Sequence, residues 1–163
     1  MSTDDVRVIL ERSADRLERN WCRGGQTVFN PPENPRSLHD LRWVRPLCLM
    51  DTIAREVTNL AADQTEGGNV PEFLLARSLL IQAIMTTALP ALLTVITDDV
   101  FDNWDSYVEK HPRLREEGED ARRNALRTLR RGRFDHRVWT YNDAYCQGGE
   151  HAAGIVRKAI KAL

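Results

Sequence analysis

The sequence predicts an all-α fold, a compact single-domain bundle of about five to six helices over residues 1–163. Three observations support this fold class. Apolar residues recur at three- and four-residue spacing in several separate segments, which is the period of an amphipathic helix. The stretch 71–97 is apolar on nearly every helical face, which is typical of a central helix packed on most sides by its own chain. A chain of 163 residues can also bury an adequate single core.

The first helix is expected to begin at Thr3, whose hydroxyl suits the N-cap position. Asp4 and Asp5 follow in the first turn, where carboxylates favour the helix dipole. Gly24 and Gly25 are expected to end the helix. Between these limits lies one helical stripe, which consists of Val6, Ile9, Leu10, Ser13 or Ala14, Leu17 and Trp21.

Residues 26–40 contain three prolines among asparagine, serine and arginine, so they are expected to form a loop. A second helix is expected to follow, because Pro46 suits the first turn of a helix. Its apolar stripe consists of Leu47, Met50, Ile53, Ala54, Val57 and Leu60. Residues 66–69, which include two glycines, interrupt the helical pattern before the most apolar stretch.

The stretch 71–97 is long enough to cross a bilayer, which takes about 20 apolar residues. Its content favours a buried helix instead, because Arg77 and Gln82 interrupt its first half and Pro90 removes a backbone donor. Neither end carries the basic cluster that orients a spanning helix. We therefore expect no membrane span, and a central helix that divides at Pro90.

The last third of the chain contains three further helical patterns. A short aromatic helix is expected to cover one end of the core with Phe101, Trp104, Tyr107 and Val108. A charged connection between Pro112 and Gly118 leads to an amphipathic helix at 119–131, and the chain ends in another at 151–163. Between them, the segment 134–142 is rich in residues with strand propensity, which leaves a short extended segment open there.

The charge and cysteine content limit the classes of function. Lysine and arginine number 23 and aspartate and glutamate 24, so the molecule as a whole does not attract nucleic acid or anionic lipid. Three widely separated cysteines without a CxxC pair favour a reducing cytoplasm over a disulfide scaffold. The glycine pairs lack the Lys-Ser/Thr of a phosphate-binding loop. No cofactor is expected.

The strongest local charge feature is a set of arginines on one predicted helix. Arg123, Arg127, Arg130 and Arg131 fall at i, i+4, i+7 and i+8, so they share one helical face that can bind phosphates or an acidic protein surface. A purely structural interpretation is also available, because acidic residues precede these arginines on the same helix and can pair with them. The sequence leaves a protein partner, a nucleic acid and a solvated face open.

Candidate chemistry is sparse. A thiol nucleophile would combine Cys22 with His136 or His151 and with Asp143, which would make a cysteine-dependent hydrolase. Against it, Cys22 lies at a predicted helix C-terminus, where the electronegative dipole disfavours a thiolate. For metal, Cys146 and His151 flank a glycine turn, but no second pair has zinc-finger spacing, so no metal site is expected. We favour a protein that is not an enzyme.

The two ends of the chain resemble a family of small uncharacterised proteins from actinobacteria and their bacteriophages. In that family an amphipathic helix ends in a Trp-x-x-Gly turn, as at Trp21 to Gly24, and a Trp-Asn-Asp motif precedes the last helix, as with Trp139, Asn142 and Asp143. The match covers roughly the first 25 and last 25 residues. This chain departs from the motif by placing Thr140 and Tyr141 after the tryptophan.

The resemblance implies a domain of unknown function, plausible phage or prophage origin and residence in the host cytoplasm. It favours a non-enzymatic protein that binds a host protein, with nucleic-acid binding through the arginine helix and a cysteine hydrolase as alternatives. From the residues themselves, Asn142 or Asp143 can accept backbone hydrogen bonds near the terminal helix, while Trp21 and Trp139 can bury large apolar areas. Structural roles are therefore expected for all four.

Overall fold

The computed structural model describes residues 3–22, 48–66, 68–131 and 134–163, without the side chains of 134–136. These residues form eight α-helices and one π-helical segment, so the expected all-α bundle is confirmed. The helices are α1 Thr3–Asn20, α2 Leu49–Gln64, α3 Val70–Ala83, the π segment Ile84–Ala88, α4 Leu89–Asp102, α5 Trp104–Lys110, α6 Pro112–Arg131, α7 Phe134–Ala144 and α8 Gly149–Lys161. The predicted turn at Gly24 and Gly25, the loop 26–40 and Pro46 lie outside the described residues.

The two terminal helices, α1 and α8, form the most extensive helix–helix contact in the described part of the chain. The predicted α1 stripe is buried from Val6 to Leu17. It meets a face of α8 that is rich in alanine, with Ala152 and Ala159 fully buried, and small side chains allow two helix backbones to approach closely. The expectation that the ends of the chain pack near each other is confirmed.

Gly149, the first residue of α8, is the point of closest approach. A Cβ atom there would lie 2.3 Å from the Leu17 carbonyl oxygen, whereas one at Gly154 would meet nothing within 4 Å. We expect Gly149→Ala to lower the free energy of unfolding by about 2 kcal/mol or more, because α8 must move away from α1. Gly154→Ala should raise it by about 0.5–1 kcal/mol through helix propensity. Urea denaturation followed by circular dichroism measures both, and equal effects would contradict the close approach.

The helix buried on most of its faces is α2, which packs against α1, α3 and α7. Its apolar residues Leu49, Ile53 and Val57 are buried, but so are several polar ones. Thr52 and Thr58 satisfy their hydroxyls on the backbone carbonyls of Cys48 and Ala54. Glu56 accepts a hydrogen bond from Arg16 of α1 at 2.5 Å. Because so many of its buried residues are polar, hydrophobicity alone does not predict that α2 is the central helix.

The expectation that 71–97 is a helix packed on most sides is wrong for its first half. In α3, Phe73 and Leu80 are buried against the bundle, while Leu75 is 62% exposed. Helix α3 covers one side of α2 and presents the rest of its surface outward. An apolar composition does not specify how many other helices pack against a helix.

The expected division at Pro90 takes the form of a π-helical segment. The helical path is continuous from Val70 to Asp102, but α3 ends at Ala83 and α4 begins at Leu89 with Pro90 in its first turn. Directly before Pro90, the π segment lets Leu89 donate to the carbonyl of Ile84, five residues back. Such a wide turn is a common way for a helix to absorb local strain, here beside a proline that cannot donate to the residue four positions before it. By length and composition, this helix is the one among the described residues that could span a bilayer, with mean hydropathy 2.0 and 33% of that window buried.

The C-terminal third is more helical than the sequence suggests. The possible extended segment at 134–142 is helical, because Val138, Tyr141 and Tyr145 are buried at helical spacing and their packing overrides strand propensity. The charged connection before Gly118 is helical as well, and α6 kinks at Gly118, whose φ is 57°. At the aromatic helix, Trp104 and Tyr107 are buried as expected, whereas Phe101 is exposed.

Candidate functional site

The four predicted arginines lie along one surface groove. Arg123, Arg127, Arg130 and Arg131 line it together with Leu126, and its volume is about 550 Å³. We call these five residues the arginine groove. All four arginine side chains are exposed, while Leu126 is half-buried at the base. The groove thus combines several cations with one apolar contact.

Within the described part of the chain, most of these arginines have no ionic partner. Arg123 contacts Asp120 at 3.5 Å, but both side chains are more than three-quarters exposed, so this pair contributes little. No hydrogen bond or ion pair with a described residue engages Arg127, Arg130 or Arg131. The expected pairing with the preceding acidic residues is therefore limited to Arg123, and three guanidinium groups remain available to a ligand.

Two contacts hold α6, the helix that carries the groove, against its neighbours. The guanidinium of Arg122 lies over the Phe101 ring, 4.8 Å from its centroid, which ties α6 to α4. Arg137 of α7 donates from Nε to the carbonyl of Leu129, near the C-terminus of α6 where a cation is favourable. Burial lowers the pKa of Arg137. These contacts leave the groove arginines on a positioned helix.

A second depression of about 530 Å³ adjoins the first, and Arg130 lines both. Its other lining residues come from α4 and α7 and are Pro90, Leu93, Thr94, Thr97, Asp98 and Arg137. Arg130 therefore stands between a strongly basic depression and a mixed one. A ligand longer than the arginine groove would continue into a depression containing both an apolar wall and a carboxylate.

A buried polar cluster joins four helices elsewhere in the molecule. Asp99 of α4 accepts hydrogen bonds on Oδ2 from the hydroxyls of Tyr107 (α5) and Tyr141 (α7), each at 2.7 Å. Nε2 of His151 (α8) lies 3.1 Å from the same oxygen and 3.1 Å from the Tyr141 hydroxyl. The backbone N–H of Gln147 donates to Nδ1 of His151, so the neutral ring carries its proton on Nε2 and donates toward Asp99. We call these four side chains the Asp99 cluster.

The cluster keeps the Asp99 carboxyl ionised despite its burial. Burial by itself raises the pKa of Asp99, but the hydrogen bonds from His151, Tyr107 and Tyr141 outweigh it, and the net pKa is lowered. The pKa of Tyr107 and that of Tyr141 are raised by burial and by the neighbouring carboxylate. The tyrosines therefore remain protonated donors, and the cluster holds helix ends together.

Asn142 hydrogen-bonds both to the residues that follow α1 and to the first residue of α2. Its Oδ1 accepts from the Trp21 indole at 2.9 Å and from the Leu49 backbone N–H at 3.2 Å. Its Nδ2 donates to the Cys22 carbonyl at 3.3 Å and to Asp143 Oδ1 at 2.9 Å. Cys48 at the α2 N-cap makes no side-chain capping bond, so Asn142 satisfies the first donor of α2 from another helix. All four hydrogen-bonding positions of its amide are used.

Both Trp21 and Trp139 were expected to bury large apolar areas, and Asn142 or Asp143 to accept backbone hydrogen bonds near the terminal helix. Trp21 is half-buried and bonded to Asn142, but Trp139 is 43% exposed and does not bury a large area. Asp143 is exposed beside Asn142. The Asn142 amide acts at the start of α2 and not at the start of α8, whose N-cap is Gly148 and which has no side-chain capping bond.

The candidate catalytic residues divide between two places. Cys22 and Asp143 both lie beside Asn142. His151 lies elsewhere, with Nε2 against Asp99 and with Nδ1 accepting from the backbone N–H of Gln147. The Cys146 thiol is buried and donates to the Gly148 carbonyl at 3.4 Å. The side chain of His136 lies outside the described residues. No group of three or more histidine, cysteine, aspartate or glutamate side chains among the described residues could hold a metal ion.

The thiol of Cys48 is held in an unreactive state. Cys48 is buried and donates to Asp51 Oδ2 at 3.1 Å. Burial raises its pKa to about 12, so the reactive thiolate is not populated at neutral pH.

Sequence reasoning missed the Asp99 cluster, although one signal was present. Leu92, Ile96 and Asp99 recur at spacings of four and three, so a carboxylate occupies the buried stripe of an apolar helix. Such a residue requires donors from other helices. The identity of those donors, two tyrosines and a histidine, depends on helix packing that the spacing does not encode.

No protein-family model, curated protein or solved structure gave a significant match to this chain.

Proposed function

We propose that this protein is a non-enzymatic binding protein whose arginine groove receives an acidic segment of another protein. The observation that carries the proposal is that Arg127, Arg130 and Arg131 line an open groove without a carboxylate partner among the described residues. Guanidinium groups bind carboxylates through paired hydrogen bonds, and Leu126 at the base offers an apolar contact between them. An acidic segment containing an apolar side chain complements this combination.

An acidic protein segment fits the groove better than a nucleic acid does. The distance along α6 from Arg123 to Arg131 is only about 12 Å, which suffices for a few phosphates. The exposed carboxylates of Glu116 and Glu117 lie on the same helix and would repel a longer polyanion. The formal net charge of the chain is −1, so it gains no long-range attraction to nucleic acid. The resemblance noted above supports a phage or prophage origin and hence a host protein in the host cytoplasm as the partner.

The test measures binding of a fluorescein-labelled peptide that alternates glutamate with leucine, by fluorescence anisotropy on the full chain. We expect Arg127→Glu with Arg130→Glu to weaken binding at least tenfold, because each reversal replaces an attraction with a repulsion. The matched control is Arg113→Glu with Arg115→Glu, which makes the same charge change on the same helix outside the groove. It should change the affinity less than threefold.

Two outcomes would contradict the proposal. Equal losses in the groove variant and the control variant would show that only overall charge matters. Binding of duplex DNA with a steep salt dependence, together with no binding of the peptide, would replace the acidic protein with nucleic acid. Melting temperatures of the variants establish that both remain folded.

A further inference from the structure

Arg55 of α2 carries a buried positive charge that no described residue compensates. Arg55 is only 4% exposed, and its Nε and Nη1 atoms are buried without a hydrogen-bonding partner. Most buried polar groups in folded proteins are paired, and a buried charge without a partner is strongly destabilising. We propose that Arg55, together with Arg16 of α1, binds a phosphate group where α1 meets α2. This site is separate from the arginine groove, which lies on α6.

The carboxylates nearest to Arg55 along α2 are engaged with other groups. Glu56 accepts a hydrogen bond from Arg16 Nε at 2.5 Å on one oxygen, and from the Asn59 amide at 3.1 Å on the other. Asp51, one turn before Arg55, accepts a hydrogen bond from a thiol at 3.1 Å. Among the described residues, no carboxylate forms an ion pair with the Arg55 guanidinium. Its compensating negative charge must therefore come from a bound anion.

Arg55 does not escape the cost of burial by losing its proton. Burial and then the positive charge of Arg16 lower the pKa of Arg55 to about 10, while Glu56 acts in the opposite direction. A guanidinium with this pKa is still protonated at pH 7. The influence of Arg16 also places the two guanidinium groups near each other, on either side of the Glu56 carboxylate that Arg16 binds.

The unused donors of the two arginines suit an oxyanion with several oxygens. Each planar fork of a guanidinium consists of Nη2 and either Nε or Nη1, so both orphaned nitrogens of Arg55 belong to a fork. Arg16 uses only Nε for Glu56, which leaves its two terminal nitrogens without a hydrogen bond to any described residue. One fork saturates a carboxylate, whereas a phosphate group has three or more oxygens and can bind forks from two helices. The Arg16 side chain is 27% exposed, so the anion reaches Arg55 from the Arg16 side.

Thermal unfolding of the full chain in increasing inorganic phosphate, with sodium chloride holding the ionic strength constant, tests the proposal. We expect about 20 mM phosphate to raise the melting temperature by about 4 °C or more, as a dissociation constant on the order of 1 mM requires. Arg55→Met keeps a long apolar side chain and removes the charge. Without phosphate it should melt at or above the temperature of the unmodified chain, and phosphate should raise that temperature by less than about 1 °C. The order of the two melting temperatures should therefore reverse as phosphate is added.

Two further variants and two further anions define the site. Arg127→Met with Arg130→Met makes the same kind of change in the arginine groove and should keep the full phosphate effect. Arg16→Lys keeps the positive charge beside Glu56 but removes the fork, so the phosphate effect should fall by at least about half. Acetate should raise the melting temperature by less than about 1 °C, because it cannot use both arginines. An effect of phenyl phosphate as large as that of inorganic phosphate supports the phosphate group of a larger molecule as the ligand, and an effect of inorganic phosphate alone supports the free ion.

Four results would overturn the phosphate site. One is an equal phosphate effect, or none, in the unmodified chain and in Arg55→Met. Another is loss of the effect in the groove variant, which would place the phosphate in the arginine groove. The third is an acetate effect as large as that of phosphate, which would make the ligand a carboxylate. The last is an Arg55→Met chain that is less stable by the same amount at every phosphate concentration, which would show that Arg55 is paired within its own chain.

Discussion

Replacing Asp99 with asparagine is expected to lower the free energy of unfolding by about 3 kcal/mol at pH 7. The carboxylate accepts hydrogen bonds from Tyr107 and Tyr141 and contacts His151 within a buried site. Hydrogen bonds to a charged group contribute about 1.5–3 kcal/mol each, and a neutral amide keeps only part of that stabilisation. Urea denaturation at pH 7 measures the difference.

The same variant has a predicted pH dependence. Because the pKa of Asp99 is lowered in the folded protein, the folded state binds this proton less readily than the unfolded state does. The stabilisation is therefore complete above the ordinary aspartate pKa of about 3.9 and is lost as the pH falls below it. The difference in stability between the unmodified chain and Asp99→Asn should shrink as the pH falls from 4 to 3.

A control within the cluster separates the carboxylate from its donors. Tyr141→Phe removes one donor and leaves Asp99 ionised, so we expect a smaller loss, about 1.5 kcal/mol, with the acid-dependent part retained. If the unmodified chain and Asp99→Asn show parallel pH profiles between pH 3 and pH 5, Asp99 is not the ionised acceptor described above.

The second large effect is expected at Asn142, which is fully buried. Asn142→Leu keeps the number and branching of the side-chain heavy atoms but leaves the Trp21 indole, the Leu49 N–H and the Cys22 carbonyl without this partner. We expect a loss of about 3 kcal/mol, because each buried polar group that loses its partner costs about 1–3 kcal/mol and some of these groups regain water. Chemical denaturation followed by circular dichroism measures this loss.

Two further variants show whether the loss belongs to the hydrogen bonds. Asp143→Asn keeps an acceptor for the Asn142 amide and should change the stability by less than about 0.5 kcal/mol. Trp21→Phe removes only the indole donor, and a double-mutant cycle with Asn142→Leu should give a coupling energy of about 1 kcal/mol. Additive effects in that cycle would mean that the Trp21 bond is not important in solution.

The arginine groove was predictable from the sequence to an unusual degree. A spacing of i, i+4, i+7 and i+8 fixes one face of any helix, so Arg123, Arg127, Arg130 and Arg131 had to lie together once α6 formed. The sequence did not predict that a groove would open along them or that Leu126 would lie at its base. The partial burial of Leu126 depends on how α6 packs in the bundle.

The sequence by itself determined the helical class, the position of α1 and α8, and the arginine face, because each depends on local periodicity and capping. Only the tertiary structure decided which helix is central, since burial depends on the number of neighbours: α2 has them on most faces, and the more apolar α3 does not. Packing also turned 134–142 into a helix and gave Asp99 and Asn142 their partners. The contacts of Asp99 with Tyr141 and His151, and of Asn142 with Leu49, join residues more than 40 positions apart, and no short-range pattern encodes which donor meets which acceptor.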